Sequence, residues 1–117
     1  MVSAPERFSA AARRQVRETR HELCLSSVSA LEISIKYSIG KLPLHIPPSE
    51  FIPELMNYER VSLIRLEFGH TIRLASLPYH HRDPFDRLLI AQAQVENLPV
   101  MTSDPRFDEY DLEVLPA

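Results

Sequence analysis

The stretch "LEISIKYSIGKL", residues 31–42, admits two readings. Leu31, Ile33, Ile35, Tyr37 and Ile39 alternate with Glu32, Ser34, Lys36 and Ser38, the period of a half-buried strand that leaves Glu32 in water. The ends of the stretch decide for a helix. Ser27 or Ser29 can cap it, Glu32 precedes Lys36 by four residues in the favourable order, Gly40 suits the C-terminal cap and Pro43 follows shortly. Val28, Leu31, Ile35 and Ile39 also form a stripe at helical spacing. Glu32 is then expected in the first helical turn, just beyond a short strand "ELCLS".

The surrounding chain is punctuated by ten prolines and two glycines, so its breaks fall in "KLPLHIPPSEF", "LPYHHRDPF" and "LPVMTSDPRF". Between them the patterns predict a helix over Ser9 to Arg20, a helix from Pro48 to Asn57, a strand "RVSLIRL", and a short helix from Glu67 to Ser76. "DPFDRLLIAQAQVEN" is the clearest helix, "LPVMTS" a buried strand and "LEVLP" a terminal strand. Strands alternating with helices indicate an α/β domain with a mostly parallel sheet. At 117 residues, 44% of them hydrophobic and 25% charged, one domain over residues 1–117 with a real core is expected. No apolar run reaches membrane-spanning length, and Pro5 and Glu6 interrupt the place of a signal peptide, so a cytoplasmic chain with no membrane partner is expected. A net charge of −3 argues against a basic coat for indiscriminate nucleic-acid binding. The single cysteine, Cys24, reads as a buried small side chain.

Acids recur at comparable places. Glu32 follows "ELCLS", Asp83 and Asp86 open the helix "DPFDRLLIAQAQ", and Asp104 follows "LPVMTS". Capping accounts for each singly: Ser29 with Glu32 fits a capping box, Asp83, Pro84 and Asp86 fit N-cap, N1 and N3, and Asp104 with Pro105 is again a helix start. Capping does not account for convergence, because the strand ends and helix starts of a parallel sheet share one edge, where these acids can meet. Two carboxylates about 4 Å apart repel by roughly 4 kcal/mol at an effective dielectric near 20, so such a cluster binds protons or a cation. Oxygen ligands suit magnesium or manganese, whose common work in such crevices is on phosphates. On this reading Asp104→Asn is expected to raise stability in metal-free buffer.

The order "SSVSALEISIKYSIGKL", "LPYHHRDPFDRLLIAQAQ", "PVMTSDPRF" resembles the PIN-domain ribonucleases, specifically the VapC-type toxins of bacterial toxin–antitoxin pairs. The resemblance implies a three-layer α/β fold and metal-dependent endoribonuclease activity, with Mg2+ or Mn2+ held by Glu32, Asp86 and Asp104 as metal-binding and catalytic acids. Asp83 belongs to the motif as the helix cap. Lys36, Arg82 and Arg87 are the candidates for contacting the RNA backbone, with a solvated charge or a carboxylate partner as the alternative for each. A homodimer and a cognate antitoxin are the implied partners. The family opens on an apolar strand ending in aspartate, and nothing of that kind precedes "APERFSAAARRQ". The expected sheet therefore lacks its central first strand and the site its first acid, which implies weak or no RNA cleavage by this chain. The alternative function is a catalytically impaired remnant that binds only a dimer partner or an antitoxin. His80 and His81 read as an exposed loop rather than a zinc site, Arg13, Arg17 and Arg20 as a solvated helix face, and "FIPELMNY" as core or dimer surface.

Overall fold

The computed structural model describes residues 2–3, 23–57 and 61–115. The expected helix over Ser9 to Arg20, with Arg13, Arg17 and Arg20, lies outside the described residues.

Five parallel strands form the sheet: β1 (Val2–Ser3), β2 (Leu23–Ser26), β3 (Val61–Ile64), β4 (Val100–Met101) and β5 (Val114–Leu115), in the order β3-β2-β1-β4-β5. Val2 stands opposite Cys24 on one side and Val100 on the other, and Ser3 opposite Met101. The expectation of a sheet without its central strand is thereby corrected, since Val2 and Ser3 hold that place. No acidic residue follows Ser3 before Glu6, so the aspartate the resemblance calls for at this strand end is not in the sequence. Strand order reverses at β1, with β2 and β3 to one side and β4 and β5 to the other. In parallel sheets, sites open outside the carboxyl ends of the strands at such a reversal.

The helices are α1 (Ser27–Ser38), α2 (Pro48–Met56), α3 (Phe68–Ala75) and α4 (Pro84–Glu96), followed by a 3-10 turn over Pro105–Glu109. α1 starts earlier than either expected cap, Ser27 or Ser29, allows, because Ser26, the last residue of β2, is its cap: the Ser26 hydroxyl accepts the Val28 N–H at 3.0 Å. Glu32 consequently lies in the second turn. The helix ends at Ser38 with Ile39 as its C-cap, and Gly40 follows with a φ of +74°, the left-handed conformation glycine tolerates best.

The face α1 buries is also not the expected one. Val28, Ser29, Glu32 and Ile33 point inward, whereas Leu31, Ile35 and Ile39 are 52%, 39% and 58% exposed. Of the apolar stripe read from the sequence, only Val28 is core. α4 is the hub of the molecule. Its Leu89, Ile90, Ala91 and Ala93 pack with Val28, Leu77, Val100, Phe107 and Tyr110 in one cluster, so α4 and β4 are buried together. Burying a leucine or isoleucine in this way stabilises by about 1.5–3 kcal/mol. Cys24 is half-buried, its Sγ 3.6 Å from Ser62 Oγ.

Candidate metal centre

Each acid is delivered by a different chain reversal at the carboxyl edge of the sheet. β2 ends in the Ser26 cap and α1 then brings Glu32 inward. Asp83 caps α4, its Oδ1 accepting the N–H groups of Phe85 at 2.8 Å and Asp86 at 3.1 Å, which sets Asp86 in the first turn. Beyond β4, the Thr102 hydroxyl accepts the Asp104 N–H at 3.1 Å, and Asp104 caps the 3-10 turn through the Arg106 N–H at 3.0 Å. Capping and convergence therefore coexist. Glu32, Asp86 and Asp104 are all buried.

Among the described residues, two groups of side chains have ligand atoms within 4.8 Å of one another and could hold a metal ion: Glu32 with Asp83 and Asp86, and His81 with Asp86 and Asp104. Asp86 belongs to both, so it joins the Glu32 side of the crevice to the Asp104 side. At that spacing each carboxylate pair repels by about 3.5 kcal/mol at an effective dielectric near 20. The first group offers only hard oxygens of the kind magnesium and manganese prefer, and the second adds the His81 nitrogen to two carboxylates, so the carboxylates fit a divalent ion of that class.

Cations stand at the rim. Lys36 Nζ lies 2.6 Å from Glu32 Oε2, in the i,i+4 relation expected from the sequence. Arg106 closes on Asp104, its Nη2 2.8 Å from Oδ2 and its Nε 3.1 Å from Oδ1. That side-chain pairing, opposed by burial and helped by the Arg106 backbone N–H, holds the Asp104 carboxyl below the usual carboxylate range. Arg106 escaped the sequence reading, although an arginine two residues past a cap carboxylate is near enough to fold back on it. Arg82 is exposed beside the motif.

Arg87 requires a correction as a substrate contact. It is buried, and its guanidinium is committed to the fold: Nη1 donates to the carbonyls of Pro78 at 2.8 Å and His81 at 3.4 Å and to Tyr110 Oη at 3.3 Å, and Nη2 to Leu77 O at 3.3 Å. It also lies 3.9 Å from the centre of the Tyr79 ring. The reading of the paired histidines as an exposed loop holds for His80 and fails for His81. His81 is 5% exposed, with Nε2 2.8 Å from Asp86 Oδ2 and 3.9 Å from Asp104 Oδ2.

A family model described as the PIN domain matches residues 1–113. The chain belongs to the PIN domain family. Among curated proteins, this PIN domain is 36% identical over 56 residues to Ribonuclease VapC16 of Mycobacterium tuberculosis, a match covering 48% of the chain and 40% of that protein. The chain thus spans less than half the length of this relative. Among solved structures, the PIN domain resembles a DNA-bound VapBC from Salmonella typhimurium with a TM-score of 0.68 at 14% identity, over 98% of this chain and 96% of that one. It also resembles VapBC2 from Rickettsia felis, bound to a fragment of promoter DNA, with a TM-score of 0.67 at 14% identity, over 99% and 98% of the two chains. These likenesses carry the fold of the PIN domain.

Proposed function

We propose that this PIN domain is a metal-dependent endoribonuclease of the VapC toxin type, hydrolysing RNA phosphodiesters. The observation that carries the reading is Asp86, a buried carboxylate shared by two ligand groups that reach Glu32 on one side and Asp104 on the other. Glu32, Asp86 and Asp104 would hold Mg2+ or Mn2+. Such an ion, when bound, supplies electrophilic stabilisation of the phosphate and a more acidic water. The chain's own residues then do the rest. The carboxylates orient the site, Lys36 and Arg106 offset their charge at the rim, and exposed Arg82 offers a cation to the RNA backbone. Arg87 contributes only by holding the loop that precedes α4.

The VapBC relatives are toxin–antitoxin complexes, and a protein partner of the antitoxin kind is part of the proposal, together with a homodimer. The exposed row Leu31, Ile35 and Ile39 supports such a partner, because apolar side chains at i, i+4 and i+8 form one continuous helix face. The absence of an acid directly after Ser3 favours a second reading, a domain that retains partner binding but little catalysis.

The test is cleavage of a panel of structured and single-stranded RNAs with Mn2+, with Mg2+ and with EDTA. The expected result is cleavage, weakened by the lack of an acid after Ser3, that requires the ion and is lost in Asp86→Asn, since losing a shared ligand removes several kcal/mol of transition-state stabilisation. Cleavage that persists in EDTA, or in folded Asp86→Asn, overturns the proposal. A chain inert with both ions across the panel hands the assignment to the partner-binding reading.

A further inference from the structure

Asp104 and Arg106 are bound to each other through both backbone and side chain. Asp104 Oδ1 accepts the Arg106 backbone N–H at 3.0 Å and Nε at 3.1 Å, and Oδ2 accepts Nε at 3.2 Å and Nη2 at 2.8 Å. The backbone bond belongs to the 3-10 turn that Asp104 caps and Pro105 opens. The side-chain bonds serve no other part of the fold: among the described residues the Arg106 guanidinium donates only to Asp104, and its side chain is 56% exposed over a carboxylate that is 7% exposed. Arg87 is the contrast, buried and tied to several carbonyls at once. An exposed arginine with a single partner swings away at little cost, since water solvates the guanidinium once it has left.

A guanidinium keeps its charge at every working pH. Folded onto Asp104, it engages both oxygens of a carboxylate that stands in ligand range of Asp86, and it sets a positive charge beside the place where a divalent ion would bind. Arginine and ion therefore compete for Asp104. A second anion of matching shape draws an arginine off a carboxylate, and a phosphodiester offers two non-bridging oxygens to the planar fork in the same two-point manner. We propose that Arg106 is a gate worked by the substrate: an RNA phosphate takes over the guanidinium, and the Asp104 carboxylate so released becomes available to the ion. This rests on the metal-site reading above and deepens it. Binding of RNA and of ion is then coupled through Arg106, and the coupling is reciprocal, each raising the affinity of the other by the same factor. Until substrate is present, the chain's own cation competes with the ion and lowers its uptake.

The probes are Mn2+, followed by electron paramagnetic resonance of the free ion, and a short 2′-O-methyl RNA that resists cleavage, with the oligonucleotide's own Mn2+ uptake subtracted. In the parent the RNA is expected to tighten Mn2+ binding about tenfold, within the usual range for two coupled sites. Arg106→Gln, which leaves the backbone bond of the turn in place, is expected to bind Mn2+ about tenfold tighter than the parent without RNA and to gain little more when RNA is added. Arg106→Gln that binds Mn2+ no more tightly than the parent overturns the inference, as does equal tightening by RNA in the two proteins. Polyglutamate that tightens Mn2+ binding in the parent as strongly as the RNA overturns the assignment to phosphate. A chain that takes up no Mn2+ as parent or as Arg106→Gln, with RNA or without, overturns the metal-site reading instead, so the two failures are distinct. The unmodified chain provides a check independent of any variant: the Nε–H resonance of Arg106 should shift when the RNA is added without ion, and a resonance unmoved at RNA saturation sinks the gate.

Discussion

Asp104 illustrates how one neighbour reverses an expectation. Carboxylate repulsion alone predicts that Asp104→Asn stabilises the ion-free protein, but Arg106 chelates the carboxylate and holds its pKa below the usual range. A carboxyl whose folded pKa lies below its unfolded value contributes stability above the ordinary carboxylate range, and that stability is lost as pH falls through the folded value. Asp104→Asn should therefore lower Tm by a few degrees at neutral pH without metal, and the difference should close on acidification below about pH 4. Calorimetry of both proteins from pH 7 to pH 3 checks this; a variant more stable than the parent at pH 7 would restore the repulsion argument. Arg106→Gln should move the Asp104 carboxyl up toward the ordinary value, readable by NMR titration of its side-chain carbon. Glu32, Asp86 and Asp104 were legible as a set because each follows a recognisable strand end or helix start. His81 was not, since what buries it comes from Tyr110, 29 residues away in sequence, and no local pattern announces that contact.

At the scale of elements, the caps were more informative than the apolar pattern. Gly40, Asp83 and Pro84 located the C-terminal end of α1 and the start of α4 correctly. The stripe Leu31, Ile35 and Ile39 misled, because α1 buries Val28, Ser29, Glu32 and Ile33 and leaves the stripe exposed. A hydrophobic pattern cannot reveal that a helix buries a polar pair beside its apolar contacts. Arg87 shows the converse: a basic residue beside the buried acids that is structural. Its guanidinium ties α4 to the carbonyls of Leu77, Pro78 and His81, so Arg87→Met leaves those buried acceptors without a donor. The expected loss is about 2–4 kcal/mol in urea unfolding, from several charge-assisted hydrogen bonds at once. A variant of unchanged stability with weakened RNA affinity would return Arg87 to the substrate contacts.

Across the whole molecule, the reversal of strand order at β1 explains why the acids gather. β2 leads into the helix of Glu32 and β4 into the turn of Asp104, and β1 lies between them. The end of β1 therefore lies at the carboxyl edge, between the strands that lead to Glu32 and Asp104. Ser3→Asp should strengthen Mn2+ binding and raise ion-dependent RNA cleavage, measured together against the parent; weaker binding would show that this strand end does not open on the crevice. The alternation of strands and helices made the parallel sheet readable from sequence. The place of Val2 and Ser3 was not readable, because two residues offer no periodicity. The two flanks of the sheet bear on how the molecule opens. β2 and β3 are in register from Leu23 opposite Val61 to Ser26 opposite Ile64, and β4 pairs with β5 through Val100 opposite Val114 and Met101 opposite Leu115. Each flank has its own ladder, so the two are expected to exchange their backbone protons as separate units. In native-state hydrogen exchange under mild denaturant, the amides of Leu25 and Leu63 should share one opening free energy and those of Val100 and Thr102 another.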